Sequence, residues 1–213
     1  MRKYLLPELL ALLVVLIGTL ALVRGLANRS PGNAGNPSKS LRVRAEHEGT
    51  ASVNAEPRNL KKYFELKALA NESTTIVTGT VGSNASRLLQ PSENFVVTDY
   101  LVRVDEALKG DVASGNDLTL RQPGGQVVLG NGKSAEVQMP DYWKQPQTGD
   151  KYIFFLKNKR DGTFALVGGP QGLFKVKEGK VDPQGHPDDK LRQTHNGKGK
   201  DSFLKEVRSM IKH

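Results

Sequence analysis

The feature that most constrains this chain is one long stretch of alternating side chains, FVVTDYLVRVDEAL, at residues 95–108. Successive side chains of a β-strand point to opposite faces, so the stretch predicts a strand with an apolar inner face and a charged outer face. The inner face comprises Val96, Thr98, Tyr100, Val102 and Val104, and the outer face comprises Asp99, Leu101, Arg103 and Asp105. Glu106 departs from this alternation near the end of the strand, where a bulge would turn it outward.

The length of this strand predicts the kind of sheet that it joins. Fully extended, it would span roughly 45 Å, which is too long for a flat strand in a small domain. We therefore expect the strand to coil or bulge and to serve two parts of the sheet, as strands do in a closed barrel.

Short apolar runs separated by turn residues follow the long strand, and residues 75–82 form a β-branched run before it. The later runs lie at residues 117–123, 126–130, 134–139, 151–157, 164–169 and 172–176. Asn131-Gly132, Asp161-Gly162 and Glu178-Gly179 are typical of tight hairpins. The pattern predicts a mainly β fold, a small antiparallel OB-like β-barrel with six to eight short strands, at residues 58–183.

Two helices are predicted to flank the barrel. Residues 58–73 place Leu60, Tyr63, Phe64, Ala68 and Leu69 on one face at helical spacing, with lysines opposite. Residues 184–200 are rich in Gly, Asp and Lys and predict a flexible basic loop. Residues 201–213 predict a closing helix that begins at Asp201 as its N-cap. Its apolar stripe comprises Phe203, Leu204, Val207, Met210 and Ile211.

The first 27 residues predict a signal peptide or a membrane anchor. Two cations precede an uncharged apolar run at residues 9–23, and residues 4–23 approach the length that crosses a bilayer. Residues 28–57 lack any period and predict a flexible linker. The barrel is therefore expected outside the cytoplasm, tethered to the cell membrane if the first segment is retained and secreted if it is cleaved.

Composition excludes several classes of function. The chain has no cysteine, which excludes disulfides, a thiol nucleophile and a thiolate zinc site. The net charge of +9 would suit nucleic acid, but residues 59–183 contain 16 basic and 14 acidic side chains, so the excess lies in the two ends. A phosphate-binding groove needs its charge on the folded domain, so no nucleic-acid partner is expected.

The remaining motifs predict no catalytic residue, no cofactor and no metal. GQVVLGNGKS at residues 125–134 resembles a phosphate loop, yet it lacks the first glycine and leads into a strand. Asp182, His186, Asp188, Asp189 and His195 could gather around a metal, but a solvated loop explains them better. The carboxylates available for a hydrolase are Asp99, Asp105, Glu106, Asp111, Asp141 and Asp150, and strand faces and turns account for all of them.

One loop is a candidate for binding a partner. Tyr142 and Trp143, the latter the sole tryptophan, lie in the loop that precedes the strand at residues 151–157. An aromatic pair in a loop predicts either an anchor for a partner protein or a plug for the end of the barrel. The packing role is the more frequent one, because large aromatic side chains are mostly buried.

The order of these motifs resembles that of a group of bacterial extracytoplasmic proteins. The resemblance is carried by IVTGTV at 76–81, TDY at 98–100, LKG at 108–110, PGG at 123–125, GDKYIFFL at 149–156 and VGGPQG at 167–172, and it covers about residues 58–211. Their domain is similar to the OB-type barrel of tissue inhibitors of metalloproteinases and netrin modules. Those inhibitors act through an N-terminal cysteine, which this chain lacks. The resemblance thus implies a fold and transfers no functional residue.

Together these features predict an exported, membrane-tethered binding or interaction module without catalytic activity. The alternative is an inhibitor or accessory factor of an extracytoplasmic protease.

Overall fold

The computed structural model describes residues 43–44, 50–57, 60–90 and 95–211, which form a mainly β structure with two sheets and a few helices. The strands are β1 (Val43–Arg44), β2 (Thr50–Asn54), β3 (Thr75–Gln90), β4 (Phe95–Lys109), β5 (Asp117–Pro123), β6 (Gly125–Val128), β7 (Ser134–Gln138), β8 (Lys151–Asn158), β9 (Phe164–Leu166), β10 (Leu173–Lys177) and β11 (Lys180–Pro183). The helices are α1 (Leu66–Glu72), α2 (Lys190–His195) and α3 (Lys200–Ile211).

The predicted signal or anchor at residues 1–27 lies outside the described residues, as does most of the predicted linker. Within the described ranges, every helix is too short or too polar to cross a bilayer.

The larger sheet has the order β11-β10-β8-β3-β4-β5-β9. Its neighbours are antiparallel except β5 and β9, which pair in parallel through Leu120 and Phe164. Strand β8 pairs with β3 on one side and also with β9, through Leu156 and Leu166 among others. Strands β3, β4, β5, β9 and β8 are therefore joined in a continuous cycle of pairings.

The alternation predicted for the long strand is confirmed in β4. All five inner-face residues are buried, whereas the outer-face residues are exposed or half-buried. The predicted irregularity is present as well, because the pairing of β3 with β4 shifts register at four places. One shift pairs Thr78 with Glu106 and Gly79 with Val104, and Glu106 turns outward to an ion pair with Arg208.

Strand β4 also serves two cores, as its length predicts. Its central residues, such as Val102, lie in the cluster enclosed by β3, β5 and β8. At its beginning, Val96 packs with Val53, Ala135 and Val137 of the smaller sheet. A single strand thus links the two hydrophobic clusters because it is long enough to leave one and reach the other.

The smaller sheet shows that part of the predicted linker is a strand. Its order is β1-β2-β7-β6, and β2 pairs in parallel with β7 from Thr50 to Asn54. The linker predicted to end at residue 57 therefore includes a strand. The sequence TASVN has only one large apolar side chain, Val53, so the burial of that residue against β7 decides its conformation.

The three predicted hairpin turns are confirmed. Asn131-Gly132 joins β6 to β7, which also excludes the phosphate-loop interpretation because a strand follows the glycine. Asp161-Gly162 joins β8 to β9. Glu178 and Gly179 join β10 to β11 with φ angles of 52° and 72°, the left-handed pair that a tight hairpin requires.

The helical predictions need three corrections. The helix predicted at 58–73 begins only at Leu66, and Phe64 of its predicted apolar face is 65% exposed. The loop predicted at 184–200 contains α2, which buries Leu191 and His195. Helix α3 begins at Lys200, so Asp201 lies in its first turn and does not precede it. These short helices depend on packing against the sheet, because their own propensity is marginal.

Candidate binding cleft

Trp143 packs in the interior of the domain. Its ring is 7% exposed, and its Nε1 donates a hydrogen bond to Oε1 of the buried Gln122 at 3.2 Å. The ring also lies against Gly169, where an added Cβ would come within 2.8 Å of it. Of the two roles predicted for this tryptophan, the structure thus places it in the packing role.

Polar side chains of neighbouring strands hold the loop that carries Trp143. The hydroxyl of Tyr100 donates to Oε1 of Gln145 at 3.0 Å, and Nε2 of Gln145 donates to the carbonyl of Pro123 at 2.8 Å. The amide of Gln147 donates to the hydroxyl of Tyr152 at 3.1 Å. Burial raises the pKa of both tyrosines to about 12, so both hydroxyls stay protonated at neutral pH.

Tyr142, the neighbour of Trp143, faces a cleft on the surface. Its ring is half-buried and meets the ring of His186 edge-on, with centroids 5.1 Å apart. The cleft has a volume of about 260 Å³. Its lining comprises Pro57, Leu60, Lys61, Lys62, Tyr142, Gly168, Pro170, Gln171, His186 and Asp189. We call this the Tyr142 cleft.

A buried glutamine fixes the floor of the Tyr142 cleft. Gln171 is 6% exposed, and its amide group binds the backbone of Tyr63 twice. The Tyr63 amide donates to Oε1 of Gln171 at 2.9 Å, and Nε2 of Gln171 donates to the Tyr63 carbonyl at 3.0 Å. The segment before α1, which supplies Leu60 and two lysines, is thereby attached to the turn at Gly168–Gln171.

The rim of the Tyr142 cleft carries both charges. Lys61 and Lys62 belong to its lining, and Lys61 reaches Glu72 at 3.1 Å, which raises the pKa of Lys61. Asp189 also belongs to the lining and accepts a hydrogen bond from the backbone amide of His186 at 2.8 Å. Among the described residues, Lys62 has no ion pair, so its ammonium is available to a carboxylate of a ligand.

The two loop residues singled out from the sequence thus have different surroundings. Trp143 packs in the interior, whereas Tyr142 lines the cleft. The remaining lining residues were not predicted as a site, because they come from three distant parts of the chain. The signals that could have found them are the Gly168-Gly169-Pro170 turn and the lysine pair before α1.

The acidic side chains considered for catalysis lie on the surface in ion pairs or in turns. Asp99 accepts hydrogen bonds from Arg87 at 3.1 Å and Arg121 at 2.7 Å, and the arginines hold its pKa below the usual range, with Arg121 the larger cause. Asp105 and Asp150 reach lysines, at Lys151 and Lys175. Asp111 and Asp141 are exposed in turns.

The histidine and aspartate cluster considered for a metal does not converge. Within the described ranges, no three His, Asp or Glu side chains lie close enough to share an ion. His186 is exposed beside Tyr142, whereas His195 is 4% exposed and packs against Phe203. Sequence reasoning missed the burial of His195, which the i, i+4 spacing with Leu191 could have indicated.

Comparison with known proteins adds no further constraint. No protein-family model matches the chain, and no curated protein shows significant similarity to it.

Proposed function

We propose that the chain is an exported, membrane-tethered binding module that uses the Tyr142 cleft to bind a protein partner and has no catalytic activity. Residues 4–23 provide the membrane anchor in this proposal. The single observation that carries the proposal is the cleft itself, which combines an apolar wall with a lysine pair on a rigidly held segment.

The proposed scaffold is an OB-like barrel. The cycle of strand pairings, β3-β4-β5-β9-β8 and back to β3, supports a closed barrel, because a ring of pairings leaves none of these strands with a free edge. In OB-type barrels the loops between strands supply binding surfaces, and here the loop before β8 supplies Tyr142.

The size of the Tyr142 cleft favours a protein over a small molecule. Small-molecule sites usually exceed about 300 Å³ and enclose most of the ligand. A cleft of about 260 Å³ on the surface suits one or two side chains of a partner segment. Its apolar wall of Leu60, Tyr142 and Pro170 suits an apolar side chain, and Lys62 suits an adjacent carboxylate.

The charge of the outer sheet face supports a protein partner and not a nucleic acid. Arg87 and Arg121 are both bound to Asp99, and Arg103 is bound to Asp117 at 2.5 Å. These arginines are neutralised within the domain, so they do not form a basic groove for phosphates.

Photo-crosslinking in the native cells tests the proposal with the full chain. A benzophenone amino acid in place of Tyr142 should give one discrete protein adduct, whereas the same group in place of Lys159, exposed in the β8–β9 turn, should not. Leu60→Asp should abolish the adduct by repelling an acidic partner. Leu101→Asp is the matched control, since both leucines are 41% exposed.

An adduct that survives Leu60→Asp, or equal adducts from both positions, would contradict the proposal. The protease-inhibitor alternative makes a narrower prediction. The captured partner would then be a protease, and the purified chain would inhibit it saturably.

A further inference from the structure

Among the described residues, Phe64 has the most exposed aromatic side chain. It is 65% exposed, although it lies between the buried residues Tyr63 and Leu66. A phenylalanine ring this exposed loses much of the burial that usually stabilises it, so it is available to an apolar phase outside the domain. Phe64 therefore singles out the surface at the start of α1.

Lysines lie close in sequence to this exposed ring. Lys61, Lys62 and Lys67 are exposed in the same short segment, KKYFELK. Residues 60–72 contain these three lysines and two glutamates, Glu65 and Glu72, which leaves a small excess of positive charge. Two further lysines reach α1 from the sheet: Lys109 donates to the carbonyl of Ala70, and Lys157 reaches Glu72 at 2.7 Å. We call the exposed surface of Phe64 and its neighbouring lysines the Phe64 patch.

The combination suits the surface of an anionic bilayer. Aromatic rings partition into the headgroup region of a membrane, and neighbouring lysines interact with anionic headgroups while their apolar stems stay beside the ring. The charge and the exposed ring thus favour a lipid surface.

The position of the Phe64 patch along the chain agrees with this assignment. The predicted anchor ends at residue 23, and the first described strand of the domain, β1, begins at Val43. The 19 residues between them would have a mean reach of roughly 25 Å if they form the predicted linker. Val43 pairs with Val53 of β2, and Pro57, which follows β2, lines the same cleft as Leu60 and Lys61, so the chain arrives near the segment that carries the patch.

We propose that the Phe64 patch docks on the anionic surface of the membrane that anchors the chain. The inference rests on the membrane tethering in the proposed function and adds an orientation to it. Docking through Phe64 and Lys67 brings the adjoining Tyr142 cleft, with Lys62 in its lining, to the level of the headgroups, where it faces partners that are themselves at the membrane surface.

The absence of cysteine permits a direct test on the full chain reconstituted in vesicles. Ala68→Cys places an environment-sensitive fluorophore in α1, four residues from Phe64, and Ala85→Cys places it on the distant part of β3; both alanines are exposed. Nitroxide-labelled lipid should quench the fluorophore at position 68 and not at position 85. The quenching should require phosphatidylglycerol and decrease with salt, because the lysines supply part of the attraction.

A second variant isolates the contribution of the ring. Phe64→Ala should lower the ratio of docked to undocked domain at least about tenfold, the factor expected from losing the burial of one phenylalanine. Val128→Ala, at a side chain 70% exposed on β6, should leave the ratio unchanged. Both substitutions lie at exposed positions, so the folded state is preserved and circular dichroism can verify it.

The outcomes separate this inference from the proposed function. Vesicle flotation of the full chain reports tethering alone, and crosslinking at Tyr142 reports the partner alone. Flotation without quenching at position 68 would overturn the docking proposal and leave the tether intact. Equal quenching at positions 68 and 85, or quenching that persists in Phe64→Ala and in neutral phosphatidylcholine, would also overturn it.

Discussion

Gln171 binds both polar groups of the Tyr63 backbone, across 108 positions of sequence. The pair joins the segment before α1 to the turn before β10, and both segments line the Tyr142 cleft. The Gln171 side chain thus makes the backbone hydrogen bonds that a neighbouring strand would make in a sheet.

Replacing Gln171 with leucine should loosen this side of the cleft. Gln171→Leu leaves the buried amide and carbonyl of Tyr63 without partners, which costs about 1–3 kcal/mol each. We expect faster tryptic cleavage after Lys61 and Lys62, measured by mass spectrometry under native conditions. Gln126→Leu on the exposed face of β6 is the matched control. Equal cleavage of the two variants would contradict the assigned role.

The corner between β5 and β6 should tolerate no side chain at Gly125. Its φ angle is 124°, and an added Cβ would lie 2.3 Å from Oγ1 of Thr98 and 2.6 Å from Oγ of Ser86. Because Thr98 and Ser86 belong to the β3–β4 pair, the backbone itself would have to move. Gly125→Ala should therefore lower the free energy of unfolding in urea by more than about 2 kcal/mol.

Gly130→Ala provides the control for this prediction. Gly130 has no heavy atom within 4 Å of an added Cβ and lies in the same β6–β7 region. The substitution should change the free energy of unfolding by less than about 1 kcal/mol. A similar loss at both glycines would show that crowding at Thr98 is not the cause.

The domain should lose stability in acid partly through Asp161. Hydrogen bonds from Thr163 and the guanidinium of Arg121 lower the pKa of Asp161 from 3.8 to about 2. Since the folded pKa is the lower one, the stabilisation is complete above about pH 4 and is lost as the pH falls towards 2. Asp161→Asn should flatten the dependence of unfolding free energy on pH in that window.

Urea denaturation at several pH values between about 2.5 and 7 measures this slope. Asp111→Asn removes an exposed carboxylate from a turn and serves as the control. An unchanged slope in Asp161→Asn would contradict the contribution of the Arg121 and Thr163 contacts.

His195 should make the domain sensitive to milder acid. Burial against Phe203 lowers the pKa of His195 below 6.5, and Glu206 at 3.8 Å opposes this only in part. Within the described part of the chain, its Nδ1 is buried without a hydrogen-bond partner. The unfolded chain therefore binds the proton more tightly, so stability is present above pH 6.5 and is lost as the pH falls below it.

His195→Gln should remove this decrease, because glutamine does not titrate. Unfolding free energies at pH 7.5, 6.5 and 5.5 measure the effect, and His186→Gln at an exposed histidine is the control. If His195→Gln retains the full decrease between pH 6.5 and 5.5, another group is responsible.

Much of the sheet could be predicted from local chemistry. The alternation at residues 95–108 and the turns at Asn131-Gly132, Asp161-Gly162 and Glu178-Gly179 are all realised in the structure. They could be predicted because a pleated strand and a left-handed turn depend on neighbouring residues alone. Tyr142 was singled out on local grounds as well, as an aromatic side chain in a loop, and its role in binding stays a prediction.

The elements that were predicted wrongly from the sequence depend on a different kind of interaction. The face predicted for residues 58–73 buries Tyr63 and Leu69 and exposes Phe64, because Gln171 holds Tyr63 in a segment that is not helical. Strand β2 was predicted as linker because TASVN has little β signal, and its pairing with β7 supplies the hydrogen bonds that decide its conformation. Both outcomes depend on partners that are distant in sequence.

The sequence alone thus determined strand β4 and the three hairpin turns, since side-chain alternation and backbone preference act over a few positions. The tertiary structure alone decided that Trp143 packs inside while Tyr142 faces a cleft, and that Leu60 and His186 line the same surface. Residues more than a hundred positions apart meet only when the whole sheet has formed, and no local pattern of side chains encodes that meeting.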